Sequence, residues 1–325
     1  MRERIAAVAI VVPFAIGIMS ASAEDGDEVF SFQDPEIVEA SGLVEQNGLF
    51  VTTNDSGDTG RVFAVDPSNG RTVGVISWPG EPEDVEALAP AGRHGVWVGD
   101  IGDNAKDRPS ISVTRLPVAA ENDEVPGETY ELTYPGPARD AETLMADPRS
   151  GQLLVASKGI LGGTLYAAPQ QLSADGPNRM RELGDILPIA TDGAFFPDGR
   201  HLVIRNYGRA IIYSYPGLEE IGELDMPAQP QGEAIAVDDD GRVYVTSEGV
   251  NEPVFEVAVP AGLRAEVSPT PRPSASPSPT KPPGSREGKE LPEEEPRGRE
   301  PWQWLLGTVV AVGAVAVLVR AIRPR

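Results

Sequence analysis

One short phrase recurs five times between Glu39 and Glu248: an acidic or polar pair at i and i+2, then an apolar residue, a Gly- or Asp-bearing turn and a β-rich run. Its starts read Glu39-Ala40-Ser41-Gly42-Leu43, Asp84-Val85-Glu86-Ala87-Leu88, Asp140-Ala141-Glu142-Thr143-Leu144, Ala190-Thr191-Asp192-Gly193-Ala194 and Gln231-Gly232-Glu233-Ala234-Ile235. Repeats roughly 40 to 55 residues apart, each holding several short strands, constrain a chain to a radial stack of blades, a β-propeller.

The strands of each repeat can be read in order. The first carries the acidic pair and ends at a turn such as Gln46-Asn47-Gly48 or Asp239-Asp240-Gly241. The second is an apolar run: Leu49-Phe50-Val51, Val96-Trp97-Val98, Leu153-Leu154-Val155, Leu202-Val203-Ile204 and Val243-Tyr244-Val245. A third strand follows, and outer, more polar strands such as Arg71 to Trp78 and Thr129 to Tyr134 lead to the next repeat. The runs alternate or are continuous, without the i, i+3, i+4, i+7 spacing of a helix. Four strands in each of five repeats predict an all-β, five-bladed propeller. The leading segment Glu28-Val29-Phe30-Ser31-Phe32 is expected to complete the last blade as its outer strand and close the ring. The longer spacing from Glu86 to Glu142 leaves a sixth blade open.

The ends have a different character. Residues 1–23 read as a signal peptide: Arg2 and Arg4, an apolar run from Ile5 to Met19, and Ser20-Ala21-Ser22-Ala23. The propeller domain is then expected over 24–262. Residues 263–301 form a Pro/Ser/Thr-rich and mixed-charge stalk with too few apolar residues to fold. Residues 302–322 read as a single transmembrane helix, with Trp302 and Trp304 at one interface and arginines at the other, followed by a short cytoplasmic tail, 323–325. The expectation is a single-pass protein of the cell membrane with its propeller extracytoplasmic and its C-terminus cytoplasmic. There is no cysteine, so no disulfide framework is available. A net charge of −23 argues against a nucleic-acid partner, which calls for a basic face.

Chemistry is expected where the first strands line the central channel. Residues at i and i+2 of an unbroken strand share a face, so Glu39, Asp84, Asp140, Glu86, Glu142, Asp192 and Glu233 are candidates for a carboxylate ring, with Lys158, Arg205 and Glu248 at the ends of second strands beside it. Such a ring must bind a hard cation, meet basic partners or raise some of its pKa values. The loops Asn54-Asp55-Ser56-Gly57-Asp58-Thr59-Gly60 and Asp100-Ile101-Gly102-Asp103-Asn104 add oxygen donors. Calcium is the cation this inventory suits, with Asn54, Asp55, Asp58, Asp100, Asp103, Glu86 and Glu142 as candidate ligands. Zinc and copper are disfavoured, because His94 and His201 are isolated in sequence. The competing reading is architectural: acidic residues at strand starts that cap turns or tie neighbouring blades.

The phrases Glu39-Ala40-Ser41-Gly42, Asn54-Asp55-Ser56-Gly57-Asp58, Gly99-Asp100-Ile101-Gly102-Asp103-Asn104, Arg139-Asp140-Ala141-Glu142 and Gly232-Glu233-Ala234 resemble those of exported, membrane-anchored bacterial propeller proteins of WD40-like type. The Trp-Asp ending of true WD40 repeats is not seen. More distantly, the pattern is similar to phytase-like and lactonase-like propellers, which implies calcium in the channel and hydrolysis of phosphoesters or lactones. No catalytic histidine arrangement matches theirs. Three functions therefore stand open: a module binding an extracellular ligand or protein, a calcium-dependent hydrolase, and a structural or adhesive surface module.

Overall fold

The chain is described here by a computed structural model covering residues 26–55 and 57–268. Its strands are gathered into five sheets, one for each repeat. Blade 1 is β2 (Ala40–Gln46), β3 (Leu49–Asn54), β4 (Arg61–Asp66) and β5 (Arg71–Ser77). Blade 2 is β6 (Val85–Pro90), β7 (Gly95–Asp100), β8 (Ile111–Pro117) and β10 (Glu128–Thr133). Blade 3 is β11 (Ala141–Ala146), β12 (Leu153–Ser157), β13 (Gly163–Ala167) and β15 (Arg181–Ile186). Blade 4 is β16 (Asp192–Phe195), β17 (His201–Arg205), β18 (Ala210–Ser214) and β19 (Glu220–Leu224). Blade 5 is β20 (Gly232–Val237), β21 (Val243–Ser247) and β22 (Pro253–Val257), completed by β1 (Asp27–Ser31) from the other end of the chain.

The N-terminal strand closes the ring as expected. Strand β1 runs antiparallel to β22, with Asp27 opposite Glu256 and Ser31 opposite Pro253. The inner strands touch in sequence, β2 beside β6, then β11, β16, β20 and back to β2. The sixth blade does not form. Instead, the long stretch between Glu86 and Glu142 contains β9 (Asp123–Glu124), which adds in parallel to the outer edge of blade 1 beside β5. A similar two-residue strand, β14 (Asn178–Arg179), caps the edge of blade 2 beside β10. Short caps of this kind blunt outer edges that would otherwise offer unpaired backbone groups.

The continuous apolar runs of the middle strands follow from this stacking. Successive residues of a strand point to opposite faces, and here each face meets another blade. Thus Val62 and Ala64 pack with Leu88, Val96 and Val98 of blade 2, whereas Phe63 and Val65 pack with Ala236, Tyr244 and Val254 of blade 5. Leu153 and Val155 likewise face blade 2, and Leu154 and Ala156 face blade 4. Five apolar clusters result, one between each adjacent pair of blades. The first hairpin turns through Asn47 and Gly48, at φ 55° and 76°, the left-handed pair that a tight two-residue hairpin requires.

The domain does not stop at Gly262. A helix, α1 (Ala261–Val267), crosses the expected start of the stalk. Its Leu263 and Val267, one turn apart, pack with Leu224, Met226 and Val243 of blades 4 and 5. That apolar pair is why the first residues assigned to the stalk fold onto the propeller. The expected signal peptide, the remainder of the expected stalk and the expected transmembrane helix over 302–322 lie outside the described residues. Among the described residues, no helix is long and apolar enough to cross a membrane.

Candidate functional site at the start of the inner strands

The acidic phrase coincides with a break in strand pairing. Where β2, β6 and β11 meet their neighbours, the register skips one residue, and that residue is Ser41, Glu86 and Glu142 respectively. In β20 the break spans Glu233 and Ala234. A bulge inserts one extra residue and re-aims side chains locally, so simple alternation does not put both acidic columns on one face. Glu86, Glu142 and Glu233 are buried, Asp84 is half-buried and Glu39 is exposed.

Blade 4 departs from the pattern. Strand β16 pairs with β17 without a bulge, and Asp192 stands opposite Arg205. Counting from the hairpin, Asp192 matches Thr143 of β11 and not Glu142. Its carboxylate is fully buried and accepts the Gly193 N–H at 2.8 Å and the Ile235 N–H of blade 5 at 2.9 Å. Asp192 is thus an inter-blade tie. Arg205 is equally buried and donates to the carbonyls of Ala234 and Thr246 and to Gln229 Oε1. Burial pulls the Arg205 guanidinium down to about 10, against the opposing pull of Glu233 and Asp192.

Several candidates from the two Asp/Asn loops are committed to the backbone. Asn54 Oδ1 accepts the Val38 and Glu39 N–H groups, and its Nδ2 donates to Glu36 O and to Asp58 Oδ2. At the matching place in blade 2, Asp100 accepts the Glu83 and Asp84 N–H groups and pairs with Arg108 at 2.9 Å. In blade 5, Ser247 Oγ accepts the Gln231 N–H. This is one repeated clamp, in which the last residue of the second strand caps the approach to the first. Burial disfavours the Asp58 carboxylate, but hydrogen bonds from Arg61, Asn54 and the Thr59 N–H outweigh it and hold its pKa below the ordinary value. Asp103 accepts the Asp107 and Arg108 N–H groups, and its own N–H binds Asp140 Oδ1 at 3.0 Å, joining blades 2 and 3.

What remains gathers into two connected groups. The first is Asp55 with Asp84 and Glu86, each offering a carboxylate oxygen within 4.8 Å of the others. Asp55 follows β3 and is set by its N–H bond to Glu39 O. Asp84 is approached by the backbone of Gly102, where any Cβ would fall 2.2 Å from Asp84 Oδ2. The glycine of that loop thus lets the chain lie against the carboxylate. Burial pushes Asp84 up to about 6, helped by Asp55 and Asp140. Burial also drives Glu86 far above the usual carboxylate range, with Glu142, Asp55 and Asp84 adding to the effect.

The second group surrounds Lys158. Its ammonium binds Glu142 and the Tyr207 hydroxyl, the latter at 2.9 Å. Tyr207 had no signal in the repeat phrase; it comes from the loop after β17 and lies close to Glu233. Gln231 Nε2 bridges Glu233 and Glu248. Burial raises Glu142 even though Lys158 opposes the rise. Burial, with Glu233 and Asp55, lifts Glu248 to about 7. The first group offers only carboxylate oxygens, a set suited to a hard cation and unsuited to a soft one, whereas the second already holds the Lys158 ammonium.

Fold and site together define a five-bladed propeller whose channel is acidic where the inner strands begin. No protein-family model matches the chain, and no curated protein matches it. Among solved structures, it is similar to a glutaminyl cyclase from Myxococcus xanthus, at 14% identity and a TM-score of 0.49, over 72% of this chain and 95% of that one. A putative 6-phosphogluconolactonase from Bacteroides uniformis aligns at 16% identity and a TM-score of 0.39, over 68% of each chain. A chain of the nidogen/laminin complex aligns at 16% identity and a TM-score of 0.43, over 65% of this chain and 73% of that one. Likenesses this distant carry no argument about activity, and the propeller rests on this chain's own strand pairing.

Proposed function

We propose that this chain is an exported, membrane-anchored propeller that binds a ligand or a protein at the acidic end of its channel, with calcium held by Asp55, Asp84 and Glu86. The observation that carries the reading is the closeness of those three carboxylates. Without a cation, burial and the neighbouring carboxylates favour the protonated forms of Asp84 and Glu86. A divalent cation reverses that preference and supplies a positive centre for an anionic or carbonyl-bearing ligand. Lys158 and Tyr207, held together beside it, add donors that orient such a ligand. Display outside the membrane is supported by the sequences of residues 1–23 and 302–322.

A second reading, hydrolysis of a phosphoester or lactone, draws support from Glu248, whose carboxyl is lifted to about 7 and so suits proton transfer near neutral pH. The two readings separate on one experiment. Calcium is titrated calorimetrically into the full chain and into Glu86→Gln, and both proteins are assayed on a panel of phosphoesters and lactones. Calcium binding that Glu86→Gln weakens at least about tenfold supports the site. Turnover abolished by Glu248→Gln selects the hydrolase, and a flat panel selects the binding module. Unchanged calcium affinity in Glu86→Gln would remove the assignment.

A further inference from the structure

The channel's other end has a different chemistry. Where the inner strands finish, all five blades line a cavity of about 470 Å³. Cavities of ~300–1,000 Å³ are the usual size for small organic ligands. Its apolar surface includes Pro90, Ala146, Ala194 and Val237, and its polar surface includes Glu45 and Gln46.

Charge at this end is uneven. Among the described residues, Arg93 is the one basic residue of the lining, against Glu45, Asp147, Asp238 and Asp239. Asp147 and Asp238 are occupied by their own turns and by Arg149 and Arg242. Glu45 accepts only the Gly48 N–H among its hydrogen bonds, at 3.0 Å. Burial raises its pKa, and the nearby Asp238 and Asp239 raise it further. Gln46, 8% exposed, donates its amide to Gly92 O, while its Oε1 has no hydrogen-bond partner among the described residues. A carboxylate and an unsatisfied carbonyl oxygen at an apolar wall both call for a donor.

We propose that this cavity binds a small organic cation, its apolar body against Pro90, Ala146, Ala194 and Val237 and its ammonium group at Glu45. The site is separate from the acidic end of the channel and does not depend on calcium there.

The test is calorimetric titration of the full chain with hexylammonium and with hexan-1-ol, its neutral counterpart. The expected result is one saturable site that prefers hexylammonium by about tenfold or more, the scale of a charge-assisted hydrogen bond. Glu45→Gln should shrink that preference to less than about threefold, and Ala146→Phe, which places a ring in the cavity, should abolish binding. Glu86→Gln, at the opposite end, should leave it unchanged. Equal binding of the two probes, full preference retained in Glu45→Gln, or loss of binding in Glu86→Gln would overturn the proposal. If Ala146→Phe does not fold, Glu45→Gln and Glu86→Gln still decide the matter.

Discussion

Lys158 of blade 3 donates to the hydroxyl of Tyr207 in blade 4 at 2.9 Å, and the same ammonium is bonded to the buried carboxylate of Glu142. One cation thus joins two blades at the most acidic part of the channel. Replacing it with Met leaves Glu142 beside Glu233 and Asp140 with no opposing charge. Breaking a buried pair from one side costs about 3–5 kcal/mol. Lys158→Met should therefore lower the melting temperature clearly at pH 8. The loss should be much smaller at pH 4, where Glu142 is protonated in both proteins. An equal loss at the two values would mean that the lysine acts only through packing.

The acidic end also sets how stability depends on pH. Asp84 is lifted to about 6 and Glu248 to about 7, and Glu86 and Glu142 are raised as well, all mainly by burial. A carboxyl whose pKa is higher folded than unfolded binds its proton more tightly in the native state. Its contribution to stability is complete below the unfolded value, near 4, and is lost as pH rises through the folded value. The calcium-free protein should thus melt at least about 5 °C lower at pH 8 than at pH 5 in calorimetry. A flat profile across that window would show that these carboxyls are not raised.

Asp192 offers a test of the tie against the channel. Its two oxygens take two backbone N–H groups, one from each of two blades. Asparagine keeps one acceptor and turns an amide toward the other donor. Asp192→Asn should cost about 1–3 kcal/mol, the penalty for a buried donor left unsatisfied, and should leave calcium affinity unchanged. A weakened calcium response with unaltered stability would return Asp192 to the ring.

Much of the architecture was legible because it is periodic. The repeat phrase marked all five inner strands, and the alternating Glu28–Phe32 segment marked the strand that closes the ring. The apolar runs of the middle strands were legible too, since a blade buried on both faces has no polar side to show. The site was legible only in part. Asp55, Asp84, Glu86, Glu142, Lys158, Glu233 and Glu248 do come together, but Asn54, Asp58, Asp100 and Asp103 turn out to be caps. Capping and ligation use the same residue types, and which N–H lies within reach is decided by the folded loop. The bulges at Glu86 and Glu142, and their absence at Asp192, depend on pairing between strands, which a single strand's sequence does not record. Tyr207 was missed because its loop carries no part of the repeated phrase. The missed helix Ala261–Val267 is shorter than two turns and relies on Leu263 and Val267 meeting blades 4 and 5.

The proposed cation site at Asp55, Asp84 and Glu86 is tested most directly by melting the full chain and its Glu86→Gln variant in calcium and in EDTA. Glutamine is neutral without having to take up a proton in the empty site, and it takes a ligand from the filled one. The variant should therefore melt above the wild-type chain in EDTA, while calcium raises the wild-type melting temperature by several degrees and leaves the variant's nearly unmoved, the signature of binding to the native state. A wild-type chain that melts at the same temperature in calcium and in EDTA would contradict it.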